Sequence, residues 1–173
     1  MLLAPIQTDG EVKSGLEDDL SQTDIWVLAA SADCLGEVSE ILAEHSVASM
    51  WFTQPARQHS FQSRSTADLE PIEIDELVSK LTGLVDAFEI AYFGQEAALY
   101  AFDKSLGLRR LSIDGAGEIT LRAGQLERLI EEASGNLAEF QRLLRQETAL
   151  GLLDQLEPLR RSVPRIDQLP RAV

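Results

Sequence analysis

The sequence predicts a single α+β domain: a central antiparallel meander of about four strands, a small N-terminal β-α-β unit, and C-terminal helices packed on the sheet. Three observations carry that prediction. Between Leu84 and Arg122 apolar residues alternate with a period of two, broken by glycine-bearing turns. Ahead of this stretch, two short apolar runs flank a helical pattern. Behind it, apolar residues recur at helical spacing as far as Leu156. The boundaries read as an acidic flexible arm over 1–23, the domain over 24–157 and a basic Pro- and Arg-containing tail over 158–173.

The arm holds Gly10 and Gly15 and clusters acid at Glu17, Asp18 and Asp19, too little apolar surface to order itself. Ile25 to Ala30 is a continuous apolar run and reads as a buried strand. Asp33 is placed to cap a helix whose Leu35, Val38, Ile41 and Leu42 share one face. Val47 to Phe52 reads as the second strand of the unit, with a parallel pairing as the expectation. The span 54–71, rich in Ser and Gln and carrying Arg57, His59 and Arg64, reads as a long loop with scope for anion binding. A helix is predicted over Ile74 to Leu81, stopped by Gly83, with Leu77, Val78 and Leu81 inward.

In the meander, a two-residue turn at Gly94-Gln95 pairs Ile90 with Leu99 and Phe88 with Ala101. The other face then carries Glu89, Ala91, Tyr100 and Phe102, so both faces are apolar and both require cover. A three-residue loop Gly115-Ala116-Gly117 sets Ile113 opposite Ile119 and Leu111 opposite Leu121. That register brings Arg110 beside Arg122, a like-charge pair that calls for a compensating carboxylate, solvent or an acidic ligand. After the meander, a helix spans Gln125 to Ala133, and Ser134-Gly135 breaks it. Asn136 and Glu139 have the spacing of a capping box, opening one long helix that Pro158 ends near Leu156.

The 173 residues suffice for one substantial core. A formal charge of −14 opposes an electrostatic grip on nucleic-acid phosphates or anionic lipid. No apolar run approaches the roughly 20 residues a membrane helix needs, and the first residues lack the basic and apolar regions of a signal peptide. A single cysteine rules out an internal disulfide, and a cytoplasmic home is the expectation. Arg outnumbers Lys twelve to three, which points to a GC-rich bacterial gene.

Each candidate for chemistry has a structural explanation. Cys34 sits at a helix start, but Asp33 opposes its thiolate and His45 is about three helical turns away. A small buried core residue is the expectation. His45 and His59 are too separated to hold zinc with one cysteine. Glu73, Asp75 and Glu76 stand where a helix start favours negative charge. Glu89, an acid inside an apolar strand, is the best candidate for a perturbed carboxyl. Phosphate-cradling loops and nucleophile elbows are missing from the sequence.

No catalytic residue, metal or cofactor is therefore assigned. The reading favoured is a non-enzymatic acidic protein that binds a protein partner, with a homodimer as one form of it. In general profile, though on no shared motif, the chain is similar to bacterial secretion chaperones and immunity proteins, which implies chaperone-, adaptor- or immunity-like binding. A small enzyme and an acidic DNA mimic are the alternatives. The residues proposed to meet the partner are Arg110 and Arg122, with guanidinium forks suited to carboxylate, and Leu143, Leu144, Leu150 and Leu153, which cover more helix circumference than one internal contact needs.

Overall fold

A computed structural model describes residues 22–54, 57 and 59–164. Its centre is a six-stranded sheet: β1 (Gln22–Ser31), β2 (Phe52–Thr53), β3 (Ser60–Ala67), β4 (Ala87–Phe93), β5 (Ala98–Asp103) and β6 (Gly107–Ser112), in the order β2-β3-β1-β4-β5-β6. Every neighbouring pair is antiparallel. Helices α1 (Leu35–Glu44) and α2 (Pro71–Thr82) cover one face, joining Val38, Leu42, Leu77 and Leu81 to Ile25, Phe88 and Ile90. Helix α5 (Leu150–Ser162) covers the other, where Leu152 and Leu156 meet Leu28, Leu99 and Leu111. Helices α3 (Ala123–Ala133) and α4 (Leu137–Glu147) form a hairpin beside α5. The α+β class and C-terminal helices on the sheet are as the sequence predicts. Among the described residues no helix is long and apolar enough to cross a membrane.

The continuous apolar run of β1 is explained by a bulge. Val27 lies opposite Phe88 while Ala29 lies opposite Ala87, so β1 carries one extra residue there, and the same shift recurs against β3. Leu28 and Ala29 consequently face the α5 side together, while Val27 and Ala30 face α1 and α2.

Several expectations are corrected. The span 54–71 is no loop, because Ser60–Ala67 is a full strand. Two of its buried polar side chains reach backbone carbonyls: Gln62 Nε2 donates to Leu28 O and Leu159 O, both at 3.1 Å, and Ser65 Oγ donates to Ala48 O at 2.8 Å. β1 and β2 do not pair in parallel, since β3 lies between them. Of the second apolar run only Phe52 enters a strand, the two-residue β2 that it forms with Thr53. Asp33 falls inside a short 3-10 turn, Ala32–Cys34, and α1 starts behind it with no side-chain cap.

The β4–β5 register differs by one residue: Ile90 faces Tyr100, Phe88 faces Phe102, and the connection is Phe93 to Ala97. This places Phe88 and Phe102 in a stack 5.2 Å apart and turns Tyr100 toward α2, where its hydroxyl donates to Asp75 Oδ1 at 3.0 Å. A stack of this kind is worth about 1 kcal/mol beyond its burial. A Cβ at Gly94 would overlap the Tyr92 ring, so glycine there lets that ring lie over the connection.

The second hairpin keeps its register in the bridge Ile113–Ile119. The fourth strand, however, shrinks to that bridge: the last bond is Thr120 N–H to Ser112 O, and Arg122 becomes the N-cap of α3. The predicted long helix is two. It breaks at Thr148-Ala149, where Ala149 takes φ +51° and turns α5 back onto the sheet. Pro158 lies inside α5, which continues to Ser162, so Arg160 and Arg161 belong to a helix and not to a tail. Asn136 caps α4 as expected, its Oδ1 accepting from Ala138 N–H and Glu139 N–H. Of the proposed arm only Gln22 and Thr23, in β1, lie within the described residues; the other arm residues and 165–173 lie outside them.

Helix α1 ends in a Schellman motif: Val47 N–H bonds Leu42 O at 2.9 Å and Ser46 N–H bonds Ala43 O at 3.0 Å. Ser46 holds φ +58° and is exposed, so its side chain bears the left-handed strain without packing in return. Ser46→Gly is expected to stabilise the fold by about 0.5–1 kcal/mol, read as a higher urea midpoint at unchanged slope.

Candidate functional site

The second face of the sheet is not fully closed by α5. Between β1, β4 and β5 below, and α4, α5 and the turn at Ala116–Ile119 around, lies an open groove with a cavity volume of about 800 Å³. Trp26, Phe93 and Leu99 contribute its apolar floor, and Leu144, Leu150 and Leu153 its helical side. Its ionisable lining is one-sided: Asp24, Glu89, Glu118 and Glu157 against Arg160.

Glu89 is the unusual member. Alternation along β4 sends Phe88 and Ile90 toward α1 and α2, and Glu89 to the opposite face, between Trp26 of β1 and Ala101 of β5. It is only 3% exposed. Arg160 Nη1 stands 3.5 Å from its Oε2, while Nη2 of the same guanidinium is bonded to Glu157 one turn earlier on α5. Among the described residues Arg160 is the only ion-pair partner of the Glu89 carboxylate. Burial pushes its carboxyl above the ordinary glutamate range, Arg160 pulls it back, and nearby Glu157 adds to the rise. Beside it, Trp26 carries the Arg64 guanidinium 4.1 Å from its ring centroid.

The residues proposed from sequence divide between two places. Leu144, Leu150 and Leu153 line the groove, and Leu143 is half-buried but stands outside it. Arg110 is on the α2 side of the sheet, where its Nε donates to Tyr100 Oη at 3.2 Å and its Nη2 lies 3.9 Å from Glu96. That corner borders a second cavity of about 690 Å³ with Tyr92 and Glu70. Arg122 is exposed on α3, two residues past the end of the pairing, so the cross-strand arginine pair does not form.

Cys34 is half-buried, with Sγ donating to Ser31 O at 3.2 Å. His45 is buried 3.9 Å from Glu73. Arg64, expected in a loop, projects from β3 onto Trp26. Sequence reasoning missed Trp26, Phe93 and Arg160 as groove residues. The Glu157–Arg160–Arg161 spacing on one helical face was the available signal, obscured by the helix end assigned to Pro158.

No protein-family model matches the chain, and no curated protein and no solved structure is detectably similar to it.

The folded state holds the Glu89 proton more tightly than the unfolded chain, whose ordinary value is 4.5. This carboxyl therefore favours folding below about pH 4.5, and the advantage is lost as pH rises through its higher folded-state value. Glu89→Gln, which leaves Arg160 paired with Glu157, should raise stability at pH 7 by on the order of 1 kcal/mol. Thermal melts should show that gain shrinking as pH is lowered toward 4.5.

Proposed function

We propose that this chain is a protein-binding module whose groove between the sheet and the C-terminal helices receives an apolar, positively charged segment of a partner protein. The observation that carries the reading is the pairing of an apolar floor with an acidic lining in one open groove. Apolar area supplies affinity at roughly 25 cal/mol per Å² removed from water, and the acids select the sign of the partner's charge. A second copy of this chain is a poor occupant, because two chains of formal charge −14 repel.

The experiment is an NMR titration with an amphipathic leucine-lysine peptide of about 18 residues, roughly five helical turns, and its leucine-glutamate counterpart. The two tryptophans report on opposite faces: Trp26 lines the groove, and Trp51 is held on the α1 side by its bond to Ser39 Oγ at 2.8 Å. The lysine peptide should move the Trp26 indole signal and leave that of Trp51 in place, and the glutamate peptide should move neither. Leu153→Asn, at a half-buried position, should weaken binding about tenfold, equivalent to ~1.4 kcal/mol. Shifts centred on Trp51, or equal binding by the variant, would remove the reading.

A further inference from the structure

We infer that Glu89 is the cation-recognition point of this groove, accepting the ammonium or guanidinium of a partner lysine or arginine whose apolar stem lies along Trp26, Phe93 and Leu99. The inference rests on the groove being the binding surface and adds the chemistry at its floor. A carboxylate offers about four acceptor positions. Glu89 is almost fully buried, and its one ion pair among the described residues is the 3.5 Å contact with Arg160. Taking such a group out of water costs several kcal/mol unless hydrogen bonds replace those to solvent. The partner it has, Arg160, is shared with Glu157 and itself substantially exposed, so one guanidinium serves two acids.

The surroundings fit the head group and the stem alike. Trp26, directly across the ladder from Glu89, already receives one guanidinium on its ring, so this part of the floor favours cations by ring quadrupole as well as by charge. Leu99 and Phe93 give an extended methylene chain an apolar bed. Asp24 and Glu118 add negative potential from the lining, so four acids face the two guanidiniums of Arg160 and, on the Trp26 ring, Arg64. A neutral or anionic group at the same point would leave the buried carboxylate no better paired than before.

The test uses two small probes on the full chain: 4-phenylbutylamine and its neutral isostere 4-phenylbutanol, both followed at the Trp26 indole signal. The wild type should bind the amine about tenfold more tightly than the alcohol, the magnitude of one charge-assisted hydrogen bond. Glu89→Gln should bind the two alike, with alcohol affinity unchanged. Glu127→Gln, which removes one acid on α3 away from the groove, should keep the preference. Equal binding of amine and alcohol to the wild type overturns the inference and leaves the groove reading standing. A preference that survives in Glu89→Gln overturns it too and reassigns the selectivity to the other acids. Failure of both probes and of the leucine-lysine peptide to move Trp26 overturns the groove reading itself.

Discussion

The carbonyl of Leu28 is the constraint on which the second face of this molecule depends. The bulge that turns Leu28 and Ala29 to the same side takes that carbonyl out of the ordinary ladder, within a run of four buried residues, Val27 to Ala30. Left without a donor it would cost about 1–3 kcal/mol. Two buried glutamine amides answer it, Gln54 Nε2 at 3.3 Å and Gln62 Nε2 at 3.1 Å. Gln62 then continues outward: it also donates to Leu159 O, and its Oε1 accepts from Ser162 Oγ at 3.2 Å. One side chain thus satisfies the bulge and pins the C-terminal turn of α5 to β3. The position of α5 follows, and with it the placing of Arg160 over Glu89 and of Leu153 and Glu157 in the groove.

This arrangement explains which parts of the fold were legible in the sequence. Strand Ser60–Ala67 carries almost no apolar alternation, because its buried positions hold Gln62, Ser63 and Ser65 and its role is to satisfy polar groups. Hydrophobic periodicity is blind to such a strand. The β4–β5 register was ambiguous for the opposite reason. With both faces apolar, a one-residue slip exchanges one apolar set for another, and patterning alone does not choose between them. The choice falls to particular side chains: the Phe88–Phe102 stack and the Tyr100–Asp75 bond exist only in the observed register. The break between α4 and α5 falls on Thr148 and Ala149, while the neighbouring Gly151 lies inside the first turn of α5 and so did not mark it.

The candidate site was visible in fragments. Glu89 stands out in sequence as an acid among apolar strand residues, and Leu144, Leu150 and Leu153 stand out by helical spacing. What the sequence did not reveal is that the chain turns back at Ala149, which brings these residues over the same sheet face. The arginines misled in a consistent way. Arg110 and Arg122 look paired from hairpin register, but the ladder stops at Thr120 and α3 begins at once, so Arg110 bonds Tyr100 and Arg122 caps α3 with its backbone.

The helical side of the groove is held unevenly, and that bears on how it would accept a partner. Helix α5 is anchored by Leu152 and Leu156 in the core. Helix α4 has no fully buried residue. Its polar ties are the ion pairs Arg128–Glu147 at 2.9 Å to α3 and Arg145–Asp154 at 3.2 Å to α5, with Gln125 Nε2 of α3 donating to Glu147 Oε1 at 3.2 Å. Exposed pairs of this kind contribute at most about 1 kcal/mol each and weaken with salt. Leu144 is thus carried by the helix least anchored in the core, and the floor of Trp26, Phe93 and Leu99 by the sheet. On the proposed reading, a wall so loosely anchored would admit side chains of different length over one buried carboxylate, and selection by charge would not require selection by shape.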